Sequence, residues 1–318
     1  MDKPTYLYLI VFCFFVFIGI SCEEESDPSP NTEPDLNTII ASDPQFSLMK
    51  EAMDHANLGP TLNGSGPYTL FLPTNEAFED YLVSEGVGSL LDVPRNTLSR
   101  RLLPHIIQNT VPGSQLADGY LPTIAVESSS LNSISLYISS LTGINGLANL
   151  EQTDIPASNG VIHTVDAVIP TPHLWTHLQS NPEFLGFFSA CNQLGLPFEE
   201  AFTGQGPFTL FVPNNSAIDA FLSSNPAWNN DLSAVPLDEL EAVLSFHVVP
   251  NQNVLENGFT NGLGLNTLHD SGNSIISLTE NGGLFELNRP GGGSVPILGI
   301  NIQGSNGVIH IIGEVLIP

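Results

Sequence analysis

At 318 residues the chain is long enough for about two domains, and its 42% hydrophobic residues can supply a packed core. Its 33 Asp and Glu against six Lys and Arg leave a net charge of −27. The basic residues are Lys3, Lys50, Arg95, Arg100, Arg101 and Arg289, too few to displace counterions from a nucleic acid or to dock on an anionic membrane surface.

The first element in chain order is an export signal. Tyr6 to Ile20 is an uncharged apolar run of 15 residues, shorter than the ~20 a membrane-spanning helix needs and matched to the core of a signal peptide. Gly19-Ile20-Ser21-Cys22 follows. This resembles a bacterial lipoprotein signal, in which a Cys after small residues is diacylated on sulfur and becomes the new first residue. Gly19 stands where that pattern prefers Leu. An ordinary cleaved signal and an uncleaved anchor are the other readings of the run. Residues 1–22 are thus read as signal, with Cys22 the lipidation site. Residues 23–34, with Glu23, Glu24, Glu25, Asp27, Pro28, Pro30 and Pro34, form an acidic tether that repels itself and offers no core. Acidic residues just after such a Cys also resemble the surface-export signals of some Gram-negative lipoproteins. The expected location is the outer membrane or cell surface. Cys191 is then the one Cys of the folded part, so no internal disulfide is available, and its apolar context reads as a buried, inert thiol.

The rest of the chain is one unit written twice. Ser42–Leu58 aligns with the segment from Ser180, Gly66–Phe78 with Gly206–Ile218, Val93-Pro94 and His105 with Val235-Pro236 and His247, and Ser158–Pro170 with Ser305–Pro318. The offset grows from 138 through 140 and 142 to 147 residues, as expected if loops lengthened while ordered elements stayed fixed. Two domains follow, 35–170 and 171–318, with Thr171-Pro172 leaving almost no linker.

Each unit opens on a helix, signalled by Asp43-Pro44 and Asn181-Pro182 at its N-terminus. Phe46, Met49 and Met53, and Phe184, Phe187 and Phe188, form its core stripe. A short strand follows, Tyr68–Leu72 or Phe208–Val212, apolar enough to be buried on both faces. Thr74/Asn75 or Asn214/Asn215 cap the next helix, with Phe78, Tyr81 and Leu82 facing inward. A third helix begins after Val93-Pro94 or Val235-Pro236, with Leu98, Leu102 and Leu103 or Leu240, Val243 and Leu244 as its apolar stripe. Ile134, Leu136 and Ile138 then alternate with Ser135, Tyr137 and Ser139, the period of a strand; Ile275, Ile276 and Leu278 begin the counterpart. Asn159-Gly160 and Asn306-Gly307 read as hairpin turns through residues that tolerate positive φ. Helices first and strands after give an α+β class.

Thr69–Phe78 carries a Thr-Φ-Phe-Φ-Pro-Thr-Asn-x-Ala-Phe segment, and Thr209–Ile218 repeats it with Asn214 for Thr and Ile218 for the last Phe. Asn159, Gly160 and His163, and Asn306, Gly307 and His310, each lead into a run ending in Pro. These blocks resemble the fasciclin-like domain. The resemblance marks Thr69, Phe71, Pro73, Asn75, His105, Asn159, Gly160 and His163, with Thr209, Phe211, Pro213, Asn215, His247, Asn306, Gly307 and His310, as motif residues. It implies a wedge of two β-sheets with packed helices in each copy, and an extracellular adhesion or matrix-binding role on a lipid or other anchor. Many members carry a Tyr-His pair linked to receptor adhesion; here Pro104-His105 and Phe246-His247 lack the Tyr, so no animal-type receptor contact carries over.

Other constellations point to structure. His105, His163, His247 and His310 recur in both copies, which suits imidazoles bonded to backbone. No His-Glu-x-x-His, Gly-x-Ser-x-Gly or calcium-loop pattern is present. His173 and His177 would share a helix face, but the first copy has Asn37 and Ala41 there. Glu199-Glu200 and Asp238-Glu239 read as solvated neighbours, and Pro290–Ser294 as a surface loop. Asn251, Asn253, Asn257, Asn261, Asn266 and Asn273 offer amides to sugar hydroxyls, though Asn also suits turns. The expectation is a non-enzymatic pair of domains without cofactor or metal site, held at the membrane by lipid and touching an extracellular polymer or cell-surface partner. Divalent cations would bridge carboxylates across such a contact. The alternative is a surface lipoprotein that captures glycan or another small molecule.

Overall fold

The computed structural model describes residues 33–269 and 274–318. The signal, Cys22, most of the tether, and Asn273 lie outside the described residues. Among the described residues no helix is long and apolar enough to cross a membrane.

Each half opens one helix earlier than the Pro signals indicate, at Leu36–Ser42 and Leu174–Ser180. Asp35 and His173 are the N-caps, accepting from the amides of Thr38 at 2.8 Å and Thr176 at 3.2 Å. The caps set the register: Asp35 and Ile39, not Asn37 and Ala41, stand opposite His173 and His177. Asp43 and Asn181 then cap single 3-10 turns, Pro44–Phe46 and Pro182–Phe184, that run on into Ser47–Ala56 and Leu185–Leu194. Phe46, Met49, Met53, Phe184 and Phe187 are buried, while Phe188 is half-buried against Trp175.

The strand Tyr68–Pro73 lies parallel to the closing strand Gly160–Val165, and Phe208–Pro213 lies parallel to Gly307–Ile312. A parallel pair needs a long crossover, and here the crossover contains the whole middle of the domain. Alternate residues of the first strand serve two cores. Leu70 and Leu72 join Phe78, Leu98 and Leu102 under the helices, while Phe71 joins Leu136, Ile138 and Val165 under the second sheet. Leu210 and Val212 against Phe211 repeat this division. Burial on both faces explains the unbroken apolar run.

In the first half the two sheets are separate, four strands around Tyr68–Pro73 and three formed by Gly119–Val126, Ser133–Ser139 and Gly143–Ile144. In the second half Ser294–Gly304 is long enough to belong to both layers, so seven strands run in one continuous order.

An alternating strand ordinarily turns its polar face to water. Ser133–Ser139 is instead buried at every residue after the first, because its polar face meets the other half of the chain. Ser135 Oγ accepts from the Gln303 amide at 3.2 Å. The Gln303 side chain donates to the carbonyls of Gly304 at 2.9 Å and Gly307 at 2.8 Å and shares an amide pair with Asn253. Asn181 Nδ2 donates to Tyr120 Oη at 3.2 Å, and the Tyr120 ring lies edge-on to His177 at 5.4 Å. Each half nevertheless has its own helix core and sheet core. Segments 35–170 and 171–318 should therefore each fold alone, yet melt below the joined chain, because the contacts made across the seam, Ser135 with Gln303 N and Tyr120 with Asn181 and His177, are exchanged for contacts with water. Calorimetry decides this; separated halves that melt no lower than the joined chain would show that the seam contributes nothing.

Candidate functional site

The sixteen motif residues gather around the parallel strand pair, and each half builds the same four devices from them. The first is a staple at the hairpin turn. Asn159 Oδ1 accepts from the Leu36 amide at 3.0 Å, and its Nδ2 donates to the carbonyls of Leu62 at 2.8 Å and Gly64 at 3.1 Å. Asn306 does the same with Leu174 at 2.9 Å, Phe202 at 2.8 Å and Gly204 at 3.0 Å. One amide thus pairs the start of the first helix with the loop that feeds the strand. The two-residue turns are Ser158-Asn159 and Ser305-Asn306, and neither Asn has positive φ. The sequence expectation of turn residues chosen for positive φ is corrected here: Asn is needed for its side-chain bonds. The glycines are needed for space. A Cβ on Gly160 would meet the Tyr68 carbonyl oxygen at 2.2 Å, and one on Gly307, at φ +153°, the Phe208 oxygen at 2.2 Å.

The second device is a clamp on the loop after the short strands Ile106–Ile107 and Val248–Pro250. Thr69 Oγ1 donates to Asn109 O at 2.6 Å and accepts from Val111 N at 2.8 Å. His163 completes it, with Nε2 2.9 Å from Val111 O and Nδ1 accepting from Asp154 N at 3.2 Å. Thr209 and His310 hold Gln252, Val254 and Asn301 in the same way. Phe71 and Phe211 lie against these imidazoles at 5.8 and 5.5 Å.

The third device holds the end of each half. His105 Nε2 accepts from Ile169 N at 2.9 Å and His247 Nε2 from Leu316 N at 3.0 Å; His247 Nδ1 lies 2.8 Å from Val243 O. In the fourth, Thr74 and Asn214 cap the helices Asn75–Glu85 and Asn215–Ser224. Their neighbours Asn75 and Asn215 reach back to the 3-10 turns and the helices Ser47–Ala56 and Leu185–Leu194 that follow them, accepting from Leu48 N and Gly186 N and donating to Pro44 O and Pro182 O. The cap is therefore the first residue of each pair, and the second is a bridge. Pro73 and Pro213 pair with Val165 and Ile312 at the strand ends.

These groups are interior. His105, His163, His247 and His310 are each 0% exposed. Burial takes His105 down to about 3 and His247 and His310 down to about 4. His177, buried at the seam, is also lowered to about 4. Cys191 is fully buried and its thiol is pushed up by burial. Among the described residues no cluster of three His, Cys, Asp or Glu is placed to hold a metal ion.

Two features had no motif to announce them. Glu127 is buried against the seam, where burial raises its pKa, but bonds from the amides and hydroxyls of Ser129 and Ser130 outweigh this and hold it below the usual range. Next to it a polar cleft of about 520 Å3 runs from Glu127–Ser129 to Thr203–Pro207 and Asn306. The loop asparagines do not converge: Asn253 is in the seam, Asn251 takes a left-handed turn at φ 60°, and Asn261 accepts from Glu280 N.

The Fasciclin domain family model matches residues 44–172 and 182–318. The chain is 28% identical over 263 residues to transforming growth factor-beta-induced protein ig-h3 of Sus scrofa, covering 82% of this chain and 36% of that protein. It thus spans about a third of that relative's length. It is 22% identical over 308 residues to the fasciclin-like arabinogalactan protein elcF of Phaeosphaeria nodorum, covering 91% of this chain and 90% of that protein. Among solved structures it is similar to the FAS1 domain pair of the insect cell adhesion molecule fasciclin I, at 18% identity and a TM-score of 0.49, over 89% of this chain and 96% of that one.

The lowered imidazoles of His105, His177, His247 and His310 set a pH dependence. Unfolded, these rings take up protons near 6.5, so between about pH 6.5 and 4 the unfolded state binds more protons than the folded one. Stability is full above pH 6.5 and falls as the pH drops toward 4, by on the order of 1.4 kcal/mol per pH unit for each ring. Relief of carboxylate repulsion acts the other way, so urea titrations belong in about 0.5 M salt, where that repulsion is screened. Flat stability across this window would contradict neutral, buried rings. Replacing His163 or His310 by Ala should cost roughly 1–3 kcal/mol by leaving a buried carbonyl and amide unpaired; unchanged melting in both variants would show them to be dispensable.

Proposed function

This chain belongs to the fasciclin domain family, and we propose that it is a non-enzymatic adhesion or matrix-contact protein, held outside the cell by lipid on Cys22. The observation that carries the reading is the use of the motif residues in both halves: Thr69, His163, Asn159, His105 and their counterparts bond to the chain's own backbone. They build a rigid body and leave contact to its surface. Family membership supports the adhesion class, and the acidic linker after Cys22 supports a tether that holds the pair away from the membrane.

The seam gives this role a mechanical basis. Two domains joined by buried contacts, among them Gln303 N to Ser135 and Asn181 to Tyr120, present one continuous surface instead of two independent ones, so a partner spanning both loses less orientational freedom on binding. With a net charge of −27, contact with an anionic polymer or another acidic cell surface must overcome repulsion. Salt near 0.15 M screens this beyond about 8 Å, and calcium adds direct carboxylate bridging.

The polar cleft beside Glu127 favours the second reading, capture of a glycan at the cell surface. Whole cells with and without the protein, tested against immobilised polysaccharides and matrix polymers, separate the two. Adhesion to a surface that free oligosaccharide does not compete away supports the first, and competition by free oligosaccharide supports the second.

Cys22→Ala should abolish incorporation of labelled palmitate and release the protein from membranes; continued labelling would refute the lipid anchor. Adhesion of beads carrying the chain should strengthen in millimolar-range calcium beyond an ionic-strength control. Equal adhesion in calcium and matched sodium chloride would remove the bridging and leave screening alone.

A further inference from the structure

The second half contains a cavity of about 410 Å3 between the helix Leu237–Phe246 and the segment from Phe198 to Phe208. This is within the size range of small-molecule sites. One wall is aromatic: the rings of Phe198, Phe202 and Phe208 follow one another edge to face, with centroids 5.9 and 6.3 Å apart. The helix side is small and polar at Ala242 and Ser245. Asp238 and Glu241 also line it, three residues apart and therefore neighbours on one helix face. Both carboxylates are exposed, and no described Lys, Arg or His forms a salt bridge with either.

The first half provides an internal comparison. In this stretch the two copies are offset by 142 residues, fixed by Val93-Pro94 and His105 against Val235-Pro236 and His247. Asp238, Glu241, Ala242 and Ser245 therefore stand where the first half has Asn96, Ser99, Arg100 and Leu103. Upstream, the offset rises from 138 to 140 before the first strand, and the lengthened segment contains Phe198. All of these differences act in one direction. Two bulky side chains are cut back, one of them a cation, two carboxylates are added at the cavity, and an aromatic ring is brought in.

We propose that this cavity binds a small organic cation with an apolar body, its ammonium or related head between Asp238 and Glu241 and its body against the phenylalanine rings. Each part alone is weak. An exposed carboxylate contributes little to binding in water, and an apolar hollow of this size discriminates poorly by itself. Together they select for a cation: the body gains from leaving water, while the head is drawn by the carboxylates and by the ring faces. A neutral molecule of the same shape keeps only the first term, and an anion meets repulsion. The proposal is independent of the adhesion reading, since the cavity lies within one half and uses none of the motif residues.

Calorimetric titration of the full chain with benzyltrimethylammonium tests it, with benzyl alcohol and phenylacetate as neutral and anionic counterparts. Saturable binding of the cation is expected, several-fold weaker for the alcohol and absent for the carboxylate. Ala242→Arg, which installs the first half's residue, should remove binding. Asp238→Asn with Glu241→Ser should weaken it several-fold at low salt, with the difference shrinking at high salt. These last two positions are exposed, so this variant serves if Ala242→Arg fails to melt like the parent. Absence of saturable binding, equal affinity for benzyl alcohol, or an affinity unmoved by the folded variants would overturn the proposal.

Discussion

The parallel pairing of Tyr68–Pro73 with Gly160–Val165, and of Phe208–Pro213 with Gly307–Ile312, is the constraint on which everything else hangs. It joins residues 92 positions apart in the first half and 99 in the second and is buried on both faces, so the polar groups beside it need partners inside the protein. Regular hydrogen bonding satisfies the strands themselves. The irregular pieces that meet them, namely a helix start, a feeding loop, the loop after the short strand Ile106–Ile107 or Val248–Pro250, and the end of each half, have no such ladder. Asn, Thr and His side chains supply the missing partners. This accounts for the motif's composition. Asn donates and accepts from one amide, Thr does so from one hydroxyl, and His163, His247 and His310 bond from opposite edges of one ring, while His105 accepts through Nε2.

The same logic explains why the two copies resemble each other where they do and differ where they do. Thr69, Asn159, His163 and their counterparts meet the same local demand twice, so they recur. Gln303 and Ser135 meet a demand that exists once, at the seam between halves, and so have no repeated motif. Gln303 aligns with Pro156 in the first copy, where that strand position is exposed. A buried Gln at one site and an exposed Pro at its repeat reflect the asymmetry of joining two similar bodies side by side.

Much of the fold was legible in the sequence because its signals are local. Asp43-Pro44 and Asn181-Pro182 mark true caps, the apolar strand is doubly buried, and the α+β order follows from helical stripes that give way to period-two strands. The opening helices lacked a Pro signal, and their caps, Asp35 and His173, share no residue type, so no common cap residue announces them. The fusion of the second half's sheets depends on the length of one strand, Ser294–Gly304, interrupted by register shifts, which no periodicity discloses. Asn159 and Asn306 were legible as turn residues but not as staples, because their partners Leu36, Leu62 and Gly64, or Leu174, Phe202 and Gly204, are up to 132 residues away. The alternation in Ser133–Ser139 marks a strand; what covers its polar face is a fact about the other domain.

The central claim is that the shared histidines are structural partners of the backbone, and their ring tautomers report on it most directly. The bonding pattern assigns opposite tautomers to the two pairs. His163 and His310 carry the proton on Nε2, because Nδ1 accepts from Asp154 N and Asn301 N. His105 and His247 carry it on Nδ1, because Nε2 accepts from Ile169 N and Leu316 N. Two-bond nitrogen–proton correlation spectra at neutral pH should show four slowly exchanging rings divided in this way. Averaged shifts of freely exchanging, solvated imidazoles would contradict the account and return these residues to the surface as candidates for binding.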